Sequence, residues 1–168
     1  MDNLIICDDV RRYCLGKAKF DVSRFEPFIE PAELDYVMPF LGKELYAEIR
    51  TQYLADTLTE DNAVLVNNYL KTPCAWIVLA KALPFLNMDI TNSGIQRSHS
   101  EFASSGSKDE RADLVTSALE NAEVYFNKAK TFLEDQTLLN KYPLYLSCNT
   151  PQSSTKIIGG IIFDTDED

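Results

Sequence analysis

One histidine, His99, and four cysteines with no C-x-x-C pair leave the chain poor in transition-metal ligands. Cys7, Cys14, Cys74 and Cys148 are widely scattered, so neither a Cys/His zinc site nor a redox dithiol is suggested. Free thiols in a protein made in a reducing cytoplasm are the simplest reading. Phosphate and nucleophile motifs are missing too, with no G-x-x-x-x-G-K-[ST], no G-x-G-x-x-G and no G-x-S-x-G. Basic charge is scarce: 16 Lys and Arg stand against 26 Asp and Glu, a net charge of −10. Such a chain is not expected to coat nucleic acid, because that binding rests on Lys and Arg neutralising phosphates. Its acidity favours solubility or a basic protein partner. No apolar run approaches the roughly 20 residues that cross a bilayer, and no membrane partner is expected. The N-terminus MDNLIICDDVRRYC has acids before its bases and only a short apolar run, so it does not read as a secretory signal.

What is present is a packed globule. Apolar residues make up 45% and aromatics 11% of 168 residues, enough for one domain burying roughly 70% of its unfolded surface. The organising stretch is Pro73 to Leu86, PCAWIVLAKALPFL, apolar on every side except at Lys81. Thr72 caps its start in this reading, Pro73 fits the first turn, and Trp76, Leu79, Ala80 and Leu83 repeat at helical spacing. A helix apolar all round is buried on several faces. The expected fold is therefore mainly α: a compact helical bundle around this hub helix (73–86), with one long polar loop and an extended C-terminal tail able to form a strand.

The rest follows in chain order. Leu4-Ile5-Ile6 precedes a brief helix that Asp8 and Asp9 can start and that runs through Tyr13 to Gly16. Ser23 and Glu26 have capping-box spacing for a second helix, with Phe25, Phe28, Ile29, Ala32, Tyr36 and Val37 on one face and a bend or division at Pro31. After the break at Pro39-Phe40-Leu41-Gly42, Leu45, Ile49 and Tyr53 mark a third helix, with Tyr46 beside them. Thr59 caps the next segment, with Glu60 and Asp61 in its first turn and Val64, Leu65 and Tyr69 or Leu70 facing inward. That segment meets the hub across Thr72-Pro73 as a kink or a corner. From Asn87 to Gly106 the pattern disappears, and a loop of about 20 residues is usually functional or disordered. Ser107 and Glu110 open the longest helix, on which Leu114 or Val115, Ala118, Leu119, Ala122, Phe126, Ala129 and Leu133 keep three-four spacing to a stop near Gln136 to Asn140. The small alanines allow close approach to the hub.

A division into a helical domain, 1–146, and an extended tail, 147–168, is expected. The segment Lys156 to Phe163, KIIGGIIF, is β-branched and apolar and is followed by the acidic end DTDED. A strand without a hairpin mate needs a partner. It can add to a sheet edge made by Leu4 to Ile6 of its own chain or to an edge on another subunit. Both readings stand at this point.

Candidate chemistry is thin. Glu44 and Glu48 share a helix face but have no partner base, and His99 lies between Arg97 and Glu101 with no orienting group in view. The tail acids Asp164, Asp166, Glu167 and Asp168 lack the glycine and terminal Glu of a calcium loop. The expectation is no enzyme, no cofactor and no metal. Candidate interaction residues are Ile95, Gln96, Arg97, His99 and Phe102 of the polar loop and Ile157, Ile158, Ile161, Ile162 and Phe163 of the tail. A terminal strand that finds its edge on the next copy builds a ring when the rotation closes.

Several runs carry a resemblance. Phe28-Ile29 with Ala32-Glu33, then Pro39-Phe40-Leu41-Gly42 with Glu44-Leu45-Tyr46, resemble an uncharacterised family from tailed phages and prophages of Bacteroides-type bacteria, crAss-like phages included. Ala82-Leu83-Pro84-Phe85-Leu86-Asn87 with Ile90 and Gly94-Ile95, and the closing helix before Tyr142-Pro143 and an Ile-Phe-rich end, resemble it too. That family is similar to the helical head-to-tail connector, or adaptor, proteins of tailed phages. The resemblance implies a virion protein of the neck, made in the host bacterial cytoplasm. It would form a homo-oligomeric ring, twelve-fold by implication, beneath the portal protein. Further neck or tail proteins would lie below, and DNA would pass through the channel without sequence-specific binding. The alternative from a different class is a bacterial helical module, protein-binding or regulatory, that takes a protein or peptide beside the hub and works as a monomer.

Overall fold

Residues 60–82 form one unbroken helical run made of three pieces: α5 (Glu60–Val64), a π turn (Leu65–Leu70) and α6 (Lys71–Ala82). The computed structural model describes residues 3–15, 21–86, 88–91, 94–97, 108–137 and 140–148. Thr59 caps the start of this run, its side chain accepting from the Asn62 N–H at 3.3 Å. The junction at Thr72 differs from the sequence expectation. Thr72 lies inside α6 and caps nothing; the chain passes Pro73 without a corner. Pro73 offers no N–H to the Tyr69 carbonyl, and its ring crowds that oxygen. The π turn immediately before it, with its wider i→i+5 pattern, takes up the misfit.

α6 is the hub. Pro73, Cys74, Ala75, Ile77, Val78, Leu79, Ala80 and Ala82 are buried on it, which covers its whole circumference. Trp76 is the departure, packed on the core but only half-buried, so its indole does not report a fully dry site. The hub ends at Ala82, and Leu83 to Leu86 turn out of the helix around Pro84, with the Phe85 and Leu86 N–H groups both donating to the Ala82 carbonyl. Val64, expected inward, is exposed; Leu65, Val66 and Leu70 fill the core in its place.

Four more helical stretches wrap the hub. α1 (Cys7–Val10) continues as a π turn over Arg11–Leu15. α2 (Glu26–Ala32) is entered through a 3-10 turn, Val22–Phe25, whose cap is Asp21 and not Ser23; the Asp21 carboxylate accepts from the Ser23 N–H at 3.1 Å. Pro31 lies inside α2 and does not divide it; the change of form comes after Ala32, where α2 gives way to a π turn (Glu33–Val37) and then α3 (Met38–Leu41). Its inward face carries Phe25, Ile29, Ala32 and Val37, all buried. α3 stops at Gly42, whose φ of 81° and ψ of 151° suit glycine alone. α4 (Lys43–Leu54) starts there and buries Leu45, Tyr46 and Ile49.

α7 (Lys108–Thr137) is the longest element and packs along the hub through Ala118, Ala122, Ala129 and Leu133, all buried. Val115 is half-buried on this stripe, whereas Leu114 is exposed. Phe132 stacks on Tyr69 with ring centroids 4.1 Å apart, and Tyr142, beyond α7, bonds Asp61, earlier in the 60–82 run, so α7 runs antiparallel to the hub in the register that the stack sets. The short α8 (Pro143–Cys148) packs against α4 and α7, and it carries helix two residues beyond the boundary expected at 146.

The stretch after the hub is not a featureless loop. Met88–Thr91 (β1) and Gly94–Arg97 (β2) form an antiparallel hairpin in which Ile90 pairs with Ile95 and Met88 with Arg97. The hairpin lies within the polar stretch 87–106, whose internal structure the sequence leaves open. No described helix is long and apolar enough to cross a membrane.

Candidate interaction surface

The titratable groups nearest to a chemical constellation hold the fold together. Glu48 of α4 accepts from Gln52 Nε2 at 2.9 Å and from Asn62 Nδ2 at 3.4 Å. Asn62 Nδ2 also donates to Gln52 Oε1 at 2.8 Å, so the cluster ties α4 to the first turn of α5. That role leaves Glu48 committed to structure. His99 and the tail acids lie outside the described residues. Among the described residues no three His, Cys, Asp or Glu side chains gather in a way that could hold a metal ion.

The most buried charge-bearing side chain is Glu33, fully inaccessible in the π turn between α2 and α3. The Ile5 N–H donates to its Oε1 at 3.2 Å and the Tyr46 hydroxyl to its Oε2 at 3.1 Å. Burial raises the carboxyl pKa above its ordinary value, more than these donors and the Arg50 charge lower it. The Tyr46 hydroxyl is pushed up to about 12 by burial and then by the Glu33 charge. Asp9 of α1 has a comparable role: its Oδ2 accepts from the Ile6 N–H at 3.0 Å and lies 3.6 Å from Lys71 Nζ of the hub. Leu4 and Ile5 are buried between these groups.

This arrangement removes one home for the tail strand. Residues 4–6 are not a strand, and the Ile5 and Ile6 N–H groups already donate to carboxylates. The intrachain edge at Leu4 to Ile6 is not there. Burial also raises the thiols of Cys14, to about 12, and of Cys74, which makes them poor nucleophiles.

What remains as a surface is the two ends of the α6–α7 pair. Phe132 stands level with Tyr69, so counting along antiparallel helices brings Ala82, the last hub residue, level with about Leu119. The turns of α7 from Lys108 to Ser117 therefore run on past the hub by about 15 Å at 1.5 Å per residue. Leu114 stands exposed on that overhang, 55% accessible, where a buried position would be expected for leucine in a long core helix. The hairpin leaves the body at the same end. Its root, Leu83 to Leu86, is fixed by the Phe28–Phe85 ring stack at 5.4 Å and by Arg24 Nη1 donating to the Leu86 carbonyl at 2.9 Å. Among the described residues the hairpin strands pair chiefly with each other and pack extensively on no helix.

α8 marks the opposite end. Lys141 Nζ meets Asp61 Oδ1 at 2.8 Å, and the Tyr142 hydroxyl donates to the Asp61 carbonyl at 2.7 Å. These bonds hold the α7–α8 connection on the first turn of α5, at the end of the α6–α7 pair remote from the hairpin root. Of the interaction residues expected from sequence, Ile95, Gln96 and Arg97 fall together on β2. His99, Phe102, Ile157, Ile158, Ile161, Ile162 and Phe163 lie outside the described residues. Sequence reasoning leaves open whether 87–106 contains a short hairpin, although Thr91-Asn92-Ser93-Gly94 is a turn signal between Ile90 and Ile95.

Residues 37–155 match the model of DUF6712, a family of unknown function. The chain belongs to this family. The match takes in α3 to α8, the hairpin and the overhang of α7, that is, both ends of the DUF6712 chain. It begins after Glu33 and the N-terminal segment that Glu33 holds. Neither curated proteins nor solved structures give a match.

Proposed function

We propose that this DUF6712 protein is a structural subunit of a tailed-phage neck, forming an adaptor ring that joins the portal to the tail and extends the DNA channel. The observation that supports it best is the separation of two unlike ends on one helical body. Among the described residues a hairpin that packs extensively on no helix and an overhang of α7 lie at one end, and the α7–α8 connection bound to Asp61 lies at the other. Unlike ends suit copies that meet head-to-tail, and such contacts build a ring when the rotation closes. Phe28 to Tyr46 and Ala82 to Ile95 resemble an uncharacterised family from tailed phages and prophages, itself similar to connector proteins, and this points the same way. The net charge of −10 suits a channel wall that repels DNA and lets it slide.

Quantitative mass spectrometry of density-purified particles from the source culture tests the reading. A copy number near that of the portal and far below that of the capsid protein is the expected result. Absence from particles, with abundant protein in the soluble lysate, would overturn it in favour of a monomeric protein-binding module.

A further inference from the structure

Leu4 and Ile5 are buried, yet they belong to no helix or strand. Their N–H groups both donate to the Glu33 carboxyl, which stands 28 residues beyond Ile5, and the Ile6 N–H donates to Asp9. α1 follows directly and packs on the hub, where Asp9 Oδ2 lies 3.6 Å from Lys71 Nζ. A terminal segment held by side-chain acceptors and two apolar residues can leave its seat while the helices beneath it stay folded. The hub, buried around its whole circumference, has no such freedom.

What covers Glu33 ties this seat to a proton. Its Oε1 accepts from Ile5 and its Oε2 from Tyr46, and the side chain is fully inaccessible. Lifting Leu4 and Ile5 takes their donors away and admits water to Oε1. Excluding water from a carboxyl favours its neutral form, and readmitting water favours the charged one. Seating of the segment and protonation of Glu33 therefore reinforce each other. The upward shift that burial gives this carboxyl has the matching direction. The other groups around it are Tyr46 and Arg50 from α4 and Cys74 from the hub; Asp9 and Cys14 face Cys74 in turn, and Lys71 faces Asp9. Burial pushes the Tyr46 hydroxyl and the Cys14 thiol up to about 12 and the Cys74 thiol well above its ordinary value, so these three keep their protons through the neutral range.

We propose that residues 3–10 form a clamp that lifts from the hub as a unit, and that a proton on Glu33 tightens it. The clamp is firmest in acid and loosens as pH rises above the ordinary glutamate pKa of about 4.3. Asp9 is the second carboxylate in the seat, and replacing Glu33 alone separates the two contributions. The clamp precedes the family match, which begins at residue 37, and it does not depend on the neck reading.

Amide hydrogen exchange of the full-length chain, followed from about pH 4.5 to about pH 8 with each rate divided by its intrinsic rate, tests the clamp. Ile5 and Ile6 should be less protected than Ile77 to Ala80 of the hub at every pH, the mark of an opening smaller than global unfolding. Their protection should fall as pH rises, by at most about tenfold per pH unit, the limit for one proton. In Glu33→Gln that fall should disappear. Protection at Ile5 and Ile6 equal to that of the hub would show that no separate clamp exists. A flat pH profile in the wild type, or the same fall in Glu33→Gln, would show that Glu33 does not control it. Should Glu33→Gln fail to fold, an NMR titration of the Glu33 carboxyl in the wild-type chain decides: a midpoint at or below about 4.3 overturns the proposal.

Discussion

Glu33 is an acid placed where a carboxylate is costly, and its two oxygens explain why it is tolerated. Oε1 accepts from the Ile5 N–H, 28 residues away, and Oε2 from the Tyr46 hydroxyl, 13 residues away, and the Leu4 N–H adds a further hydrogen bond to the carboxylate. Tyr46→Phe leaves one buried oxygen without its partner and should cost about 1–3 kcal/mol, read as a lower urea midpoint at unchanged slope. The raised pKa has a definite sign. The folded protein holds the Glu33 proton to higher pH than the unfolded chain does. Its contribution is therefore fully present below the ordinary glutamate pKa of about 4.3 and is lost as pH rises through the raised folded value. Glu33→Gln abolishes that dependence. The stability gap between wild type and this variant should narrow as pH rises from acid to neutral, and a gap that widens would mean the carboxyl pKa is not raised.

Elements differ in how legible they are in the sequence, and the reasons are physical. Leu45 and Ile49, the Thr59 cap and the Ala118-to-Leu133 stripe are legible because helix packing and capping write short-range periods and pairs. The π turns before Pro39 and Pro73 are not, since they change the period itself over a few residues. α8 escapes because six residues are too few for a period, and Ser23 outranks Asp21 as a cap only because its capping-box spacing matches by chance. The hairpin is half visible: β2 contains the candidates Ile95, Gln96 and Arg97, while its pairing with Met88 to Thr91 leaves only a turn signal. Gly42 is an element-scale hinge between α3 and α4 that glycine alone can occupy at low cost. Gly42→Ala should destabilise by about 1–3 kcal/mol in chemical denaturation. If it does not, α3 and α4 are joined in some other conformation.

At the scale of the molecule, charge and polarity of contact pull in opposite directions. Each copy carries a net charge of −10, so bringing copies together costs repulsion that salt screens over a Debye length of about 10 Å at 0.1 M. A ring held by apolar contacts should therefore grow in population between about 50 mM and 500 mM salt, as read by sedimentation velocity. Assembly that weakens with salt would instead mark a contact made by opposite charges. Deleting residues from Pro151 onward should leave a folded monomer that no longer joins the ring; normal assembly of that truncation would show that the tail is not the connector.

The seat of Leu4 and Ile5 has a bearing on how the chain comes off the ribosome. Its walls are Glu33, Tyr46 and the hub helix, and α1 packs directly on α6. The N-terminal segment is translated long before Lys71 to Ala82 exist, so it emerges with nowhere to dock and must stay unsettled while the walls are built. Local helices such as α4 can form in the meantime, because their contacts span only a few residues. Closure of the core thus comes late in synthesis and runs backwards along the chain, with the earliest residues among the last to be placed.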